Sequence, residues 1–202
     1  MTYYVYKASS RPAFQLGDLV GWDEKVPLLK RRADISGLFK NGKSLLDPAE
    51  MPDTLRLSKT VAEKCPAAFI SQDGICVVNS LIHDLLEEMD RGIHQFIPIK
   101  VIDKKGKSPN HVQYILNVHH MLDTIIDEKS YVEGGSGARD GSIMHVRMES
   151  KPSLTVDTSH LSSVNLWTEQ RYPTTRLMSD KLFRELKARN LKFFQPIKIA
   201  EL

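Results

Sequence analysis

Cysteine is scarce in this chain, which carries two cysteines, Cys65 and Cys76, among 202 residues. They form neither a Cys-x-x-Cys motif nor a spacing with histidine that is typical of structural zinc. The scarcity excludes a disulfide framework. We interpret both residues as buried free thiols, which behave as small apolar side chains.

Long apolar segments are missing as well. No run approaches the roughly 18 apolar residues that a helix needs to cross a bilayer. Residues 1–7 also lack the basic stretch followed by a long apolar one that marks a signal peptide. We therefore expect a cytoplasmic protein without membrane contact.

Neither sign of charge dominates. Lys and Arg number 28 and Asp and Glu number 25, a net charge of +3, which is too small for a nucleic-acid-binding protein unless the cations cluster on one face. The composition, 41% hydrophobic and 26% charged, is that of an ordinary globular protein. We expect residues 1–202 to form a single domain with a loop-rich part at residues 1–53.

Catalytic motifs are absent too. No serine lies in a Gly-x-Ser-x-Gly motif, and the spacing suggests neither a Ser-His-Asp nor a Cys-His arrangement. The glycine-rich stretch at residues 133–142 lacks the Gly-Lys-Ser/Thr ending of a phosphate-binding loop, so we interpret it as a hairpin tip. The pattern predicts a protein that is not an enzyme and needs no cofactor.

One cluster has the side chains of a metal site: His119, His120, Asp123 and Asp127. Adjacent residues of a strand point to opposite faces, so the two histidines do not easily share one ion. A structural role is the favoured interpretation. A small metal-dependent hydrolase using His119, His120 and Asp123 is kept as an alternative.

The chain contains a repeated unit of cap, helix and strand. In the first copy, a β-type run ends at the cap residue Asn79, an apolar helical stripe runs to Met89, Gly92 ends the helix, and a strand covers residues 95–102. In the second copy, Ser179 is the cap, Asn190 ends the helix, and the strand includes Phe194 to Ile199. The pattern aligns Pro98 with Pro196, with a connecting turn two residues shorter in the second copy.

The repeat predicts the fold class. Each amphipathic helix needs an apolar sheet to cover, and each strand needs a neighbour. We predict an α+β fold with a mixed, largely antiparallel sheet, two amphipathic helices and repeated units at residues 69–102 and 177–200. The strand at residues 95–102 contains Pro98, which indicates an edge strand or the start of a strand.

The two predicted helices carry opposite charge. The first holds the acids Asp84, Glu87, Glu88 and Asp90, and the second holds the cations Lys181, Arg184, Lys187 and Arg189. The favoured interpretation is that these faces are solvated or complement one another. The functional alternative is that the acidic residues steer a basic partner such as a nuclease, and a further alternative is a nucleic-acid-binding module built on the four cations.

Several segments resemble a known family. Val112–Val118, Asp123 with Ser130, Leu177–Leu182 and Leu191–Ile197 are similar to immunity family eleven of the bacterial polymorphic toxin systems. The resemblance covers most of the chain, is best over the last hundred residues, and is weakest at residues 11–53. His119, His120 and the loop at residues 133–142 depart from the family pattern, and we interpret them as sites of partner-specific variation.

The resemblance implies a toxin–immunity pair. The chain would bind a cognate secreted toxin by protein–protein interaction, protect the producing cell during interbacterial competition, and carry no catalytic residues. It also implies nuclease toxins as frequent partners. Together with the charge pattern, it makes Asp84, Glu87, Glu88 and Asp90 the candidate toxin-binding residues.

Overall fold

The computed structural model describes eleven segments of the chain: residues 3–7, 18–20, 46–51, 53–57, 65–70, 75–130, 154–159, 161, 164–171, 175–193 and 195–201. The glycine-rich stretch at residues 133–142, the predicted strand residue Phe194 and most of residues 1–53 lie outside these segments. The prediction of a hairpin tip at residues 133–142 stays a prediction.

The described elements are two α-helices, twelve strands and two short 3-10 helices at Pro48–Glu50 and Asp127–Lys129. The helices are α1 (Ser80–Met89) and α2 (Asp180–Ala188). The strands are β1 (Tyr3–Lys7), β2 (Asp18–Val20), β3 (Thr54–Arg56), β4 (Ala68–Ile70), β5 (Cys76–Asn79), β6 (Gln95–Ile102), β7 (Gln113–Asn117), β8 (Met121–Leu122), β9 (Thr155–Val156), β10 (Leu166–Glu169), β11 (Arg176–Ser179) and β12 (Gln195–Glu201).

The strands form two sheets. One has the order β2-β3-β6-β7-β5-β4 and the other the order β8-β10-β11-β1-β12-β9. Most neighbouring strands among the described residues are antiparallel, whereas β3 with β6, β8 with β10 and β9 with β12 are parallel. The predicted α+β class with largely antiparallel strand pairing is confirmed, although the strands form two sheets where a single sheet was predicted.

The repeated unit is also confirmed, as β5-α1-β6 in one sheet and β11-α2-β12 in the other. A central strand completes each copy: β7 pairs with both β5 and β6, and β1 pairs with both β11 and β12. In the sequence, the central strand β7 directly follows the first unit, whereas the central strand β1 precedes the second unit by more than 150 residues. The two halves therefore have the same strand arrangement in space, but their central strands come at different points in the sequence.

The register corrects the predicted alignment of the two copies. Ile97 lies opposite Ile115 of β7, and Ile197 lies opposite the equivalent Val5 of β1. The strands thus correspond with a constant offset of 100, whereas the sequence pattern aligned Pro98 with Pro196. A shift of two residues leaves every side chain on the same face of a strand, so alternation alone does not distinguish the two alignments.

Pro98 does not mark an edge strand. It lies in β6, an interior strand between β3 and β7. The backbone N–H of Lys100 points toward β3 and donates to the carbonyl of Asp53 at 2.9 Å, and the pairing with β3 starts at Lys100. The nitrogen of Pro98 faces the same side two residues earlier, where the paired part of β3 has not begun, so no ladder hydrogen bond is lost.

The central core joins the two helices. Ile82, Leu85 and Leu86 of α1 and Leu182 and Leu186 of α2 belong to one buried apolar cluster, together with residues of both sheets. Separate clusters lie beneath β3, β5 and β6 and around Trp167. None of the described helices is long and apolar enough to cross a bilayer. The single domain predicted for residues 1–202 stays a prediction.

Candidate functional site

Helix α1 begins and ends where its sequence dictates. The side chain of Asn79 accepts a hydrogen bond from the backbone N–H of Ile82 at 3.1 Å, which satisfies one of the free N–H groups of the first turn. The helix ends at Met89, and Gly92 adopts a positive φ of 67° in the turn that follows. The cap and the turn bound the helix, and the spacing of Ile82, Leu85 and Leu86 determines its buried face.

The outer face of α1, which we define as Leu81, Asp84, Glu87 and Glu88, presents acids beside an apolar residue. The side chains of Asp84 and Glu88 are 70% and 62% exposed. They lie one turn apart on the helix and share its surface with Leu81. The outer face thus keeps three of the four acids that the sequence proposed as toxin-binding residues.

Each acid of the outer face has a local partner. Asp84 accepts from the imidazole of His83 at 2.8 Å, and Glu87 accepts from the backbone N–H of Gly92 at 3.4 Å. Glu88 accepts from the guanidinium of Arg189 at 2.8 Å. The last contact joins the acidic helix to the end of the basic one, as the packing interpretation of their opposite charges predicted.

Asp90 does not lie on the outer face. Its side chain is 0% exposed and sits one residue past the last helical residue, with a φ of −129°. The helical periodicity that assigned it to the polar face has ended at that point. Its predicted role in binding therefore does not fit its position, whereas Asp84, Glu87 and Glu88 remain candidates.

Asp90 is instead the centre of a buried polar network. One carboxylate oxygen accepts from the backbone N–H and the side-chain amide of Asn165, both at 2.9 Å. The other accepts from the N–H of Leu166 at 2.9 Å and from His94 Nε2 at 3.2 Å. Burial alone would raise the pKa of Asp90, but the hydrogen bonds from His94 and Asn165 outweigh it, so the pKa is lowered.

The network continues to the second helix. The hydroxyl of Ser179 donates to the side-chain oxygen of Asn165 at 2.8 Å and accepts from the N–H of Leu182 at 3.1 Å. The side chains of Asp90 and Asn165 thus connect the end of α1 to Ser179, the cap residue of α2. Sequence reasoning found Ser179 as a cap but missed Asn165, because no local pattern links it to a residue 75 positions away.

An apolar and aromatic surface adjoins the outer face. Leu81 and Val112 are the exposed large apolar residues of the described segments, at 42% and 58%. The backbone N–H of Ser80 donates to the carbonyl of Val112 at 2.8 Å, which places Val112 beside the first turn of α1. His83 stacks on Tyr114 with ring centroids 4.4 Å apart and meets Phe96 edge-on at 4.6 Å. Rigid aromatic groups beside exposed apolar ones are typical of interface anchors.

The histidine cluster takes a different form from a metal site. Arg171 binds the two acids of the cluster, donating to Asp123 at 2.6 Å and also to Asp127. His119 and His120 are half-buried, and burial, followed by the neighbouring His94, lowers the pKa of His120. In the segments that the structure describes, no three His, Cys, Asp or Glu residues are arranged to hold a metal ion. The geometry does not favour the alternative of a metal-dependent hydrolase.

The cations of α2 are only partly available for nucleic acid. Arg184 pairs with Asp180 at 2.7 Å, and Arg189 contacts Glu88 and Glu185 at 2.8 Å and 3.5 Å. Two of the four cations that were predicted to contact phosphate are therefore paired with carboxylates. The helix does not form the unopposed basic face that a nucleic-acid-binding module needs.

The fold is α+β, and the outer face of α1 is acidic and flanked by apolar residues. The sequence profile of the Immunity protein family (Imm11) matches residues 12–201, nearly the whole chain. The chain belongs to this immunity protein family. A comparison with curated proteins gives no match. Membership supports a toxin-neutralising role and suggests a non-catalytic protein.

Proposed function

We propose that the chain neutralises one cognate secreted toxin by binding it inside the cytoplasm of the producing cell, and that this toxin is a nuclease. Membership of the immunity family supports the toxin partner. The observation that carries the choice of toxin is the outer face of α1, where Asp84 and Glu88 stand exposed beside Leu81.

Charge supports a nuclease as the toxin. The substrate-binding surface of a nuclease is cationic because it holds phosphates. An acidic helix face attracts such a surface and speeds the encounter. The chain as a whole is slightly basic, with a net charge of +3, so the attraction must act through a local face and not through net charge.

Apolar anchoring complements the charge. A stable inhibitor complex needs an interface of about 1,600 Å² with a few well-packed anchors at its centre. Leu81 and Val112 supply exposed apolar area near Asp84, and the half-buried His83–Tyr114 stack lies beside them. In this arrangement the acids set the association rate, whereas the apolar groups slow dissociation.

The test is a binding titration with the C-terminal toxin domain encoded by the adjacent upstream gene. The double variant Asp84→Lys with Glu87→Lys is expected to lower the association rate at least tenfold at low salt, because it reverses the steering field. Asp53→Lys with Glu128→Lys is the matched control, since both acids are exposed and neither lies on α1. Equal rates for the two double variants would refute the role of the outer face.

A further inference from the structure

A cleft lies at the end of α2. It has a volume of about 220 Å³ and is formed by Met178 of β11, residues of α2, the turn that follows and the start of β12. Met178, Leu186 and Phe193 form a buried apolar floor, and the partly buried Phe183 and Leu191 extend it toward the surface. The cleft is an apolar cavity that opens on the outside of the molecule.

The rim of the cleft is cationic. Lys187 and Lys192 line it and are both exposed. The neighbouring arginines Arg184 and Arg189 pair with carboxylates, whereas neither rim lysine forms an ion pair with an acid of the described segments. The two charges at the rim are thus available to a partner.

The two halves differ at the positions of these lysines. With the offset of 100 between the two halves, Lys187 and Lys192 correspond to Glu87 and Gly92. The first half forms the corresponding helix with an acid at the position of Lys187, whereas the turns differ, because the left-handed residue is Gly92 in the first half and Asn190 in the second. The helix backbone therefore does not require a cation at position 187.

Size indicates what the cleft holds. Small-molecule sites usually measure about 300–1,000 Å³, so a cavity of about 220 Å³ is better matched to one inserted side chain. Protein interfaces place such anchors, most often aromatic ones, in well-packed pockets. With two lysines at the rim, the complementary segment carries carboxylates next to its anchor.

A salt bridge connects the end of α2, beside the cleft, to the outer face of α1. Arg189, which lies between the rim residues Lys187 and Lys192 in sequence, binds Glu88 of that face at 2.8 Å. A partner that covers Glu88 is therefore also close to the rim of the cleft. We infer that the cleft receives an apolar or aromatic side chain, flanked by acidic residues, from the same toxin, an inference that rests on the proposed function.

The experiment measures the dissociation constant of the purified full-length chain with the toxin domain of the adjacent upstream gene. Lys187→Glu with Lys192→Glu is expected to weaken binding about 30-fold, the loss typical of an interface hot spot. Lys104→Glu with Lys105→Glu, exposed lysines of the turn before β7, is the matched control for net charge and is expected to change the constant less than threefold.

A second variant tests the cavity separately from the charge. Leu191→Trp fills the cleft and is expected to weaken binding by about the same 30-fold while the melting temperature stays within a few degrees of the wild type. If Leu191→Trp fails to fold, the inference is tested by comparing the double variant of Lys187 and Lys192 with that of Lys104 and Lys105.

The outcomes separate the two proposals. A wild-type complex that tolerates either the rim reversal or a folded Leu191→Trp overturns the cleft inference and leaves the proposed function standing. The absence of any wild-type complex refutes the proposed function, and the inference falls with it. Photo-crosslinking from position 191 to an acidic, apolar segment of the toxin would support the inference directly.

Discussion

The carboxylate of Asp90 accepts two hydrogen bonds of 2.9 Å from Asn165, a residue 75 positions further along the chain. The contact joins the end of α1 to the start of β10, and Ser179 extends it to the cap of α2. A carboxylate buried in this way stabilises the fold only while all of its hydrogen-bond donors remain in place.

Asp90→Asn is expected to lower the free energy of unfolding by about 3 kcal/mol. The carboxylate has four N–H donors directed at it, and the amide that replaces it has one oxygen to accept them and turns an NH₂ group toward the rest. Urea unfolding measures the loss. Asp84→Asn, on the exposed outer face, is the control and is expected to change stability by less than about 0.5 kcal/mol; equal losses for both variants would contradict the account.

The contribution of Asp90 to the stability of the fold is also expected to depend on pH and to be lost in acid. Its pKa is lower in the folded chain than its ordinary value of 3.8, so the stability it supplies is complete above that value and is lost as the pH falls through the folded pKa. Unfolding free energies measured from pH 7 downward are expected to fall more steeply for the wild type than for Asp90→Asn. Parallel curves would show that the network does not hold the carboxylate in its charged form.

The effect of Glu169 on the stability of the fold is expected to have the opposite pH dependence. Its side chain is buried, and burial raises its pKa above 4.5 against the hydrogen bonds from Thr124. The charged form is therefore disfavoured in the folded chain, and stability falls as the pH rises from 4.5 through the folded pKa. Glu169→Gln is expected to be more stable than the wild type at pH 7, with the difference shrinking toward pH 4.5. A variant that is less stable at pH 7 would contradict this.

The contact between Glu88 and Arg189 is expected to contribute little to stability. Both side chains are well exposed, and water screens exposed pairs strongly. A double-mutant cycle with Glu88→Gln and Arg189→Gln should give a small coupling energy that decreases further with added salt. A larger, salt-independent coupling would mean that the pair holds the two helices together, and would remove Glu88 from the candidate binding residues.

Cys65 is expected to react slowly in the folded protein. Burial raises the pKa of its thiol from the ordinary value of 9.0 to about 11, and the thiolate is the form that reacts. At pH 8 the reactive thiolate is thus about a hundredfold less abundant than in the unfolded chain. Alkylation by iodoacetamide with and without urea, followed on a Cys76→Ser background, measures the ratio. Equal rates in both conditions would show that the thiol is accessible.

Local signals predicted the parts of the fold that local chemistry determines. Asn79 and Ser179 cap their helices with their own side chains, Asn190 directly follows the C-cap of α2 with a φ of 54°, and Gly92 has a φ of 67° in the turn after the C-cap Asp90 of α1. These features depend on neighbours within a few residues, so the sequence displays them directly.

Long-range pairing could not be predicted in the same way. The register of β12 is ambiguous by two residues because alternation preserves the buried face, and the interior position of Pro98 depends on where β3 begins to pair. Asp90 was assigned to the acidic face because no sequence motif indicates its contact with Asn165, 75 residues away. The candidate site is therefore predictable where helical periodicity applies, at Asp84, Glu87 and Glu88, and not beyond the end of the helix.

The most direct test of the account is protection of living cells. Bacteria that express the C-terminal toxin domain of the adjacent upstream gene are compared with and without this chain, and the complex is purified from the survivors. We predict that the wild-type chain restores growth and co-purifies with the toxin domain, that it prevents nucleic-acid degradation, and that the Asp84→Lys and Glu87→Lys double variant protects less. Unrestored growth with no complex, while both proteins are produced in folded form, would contradict the central claim.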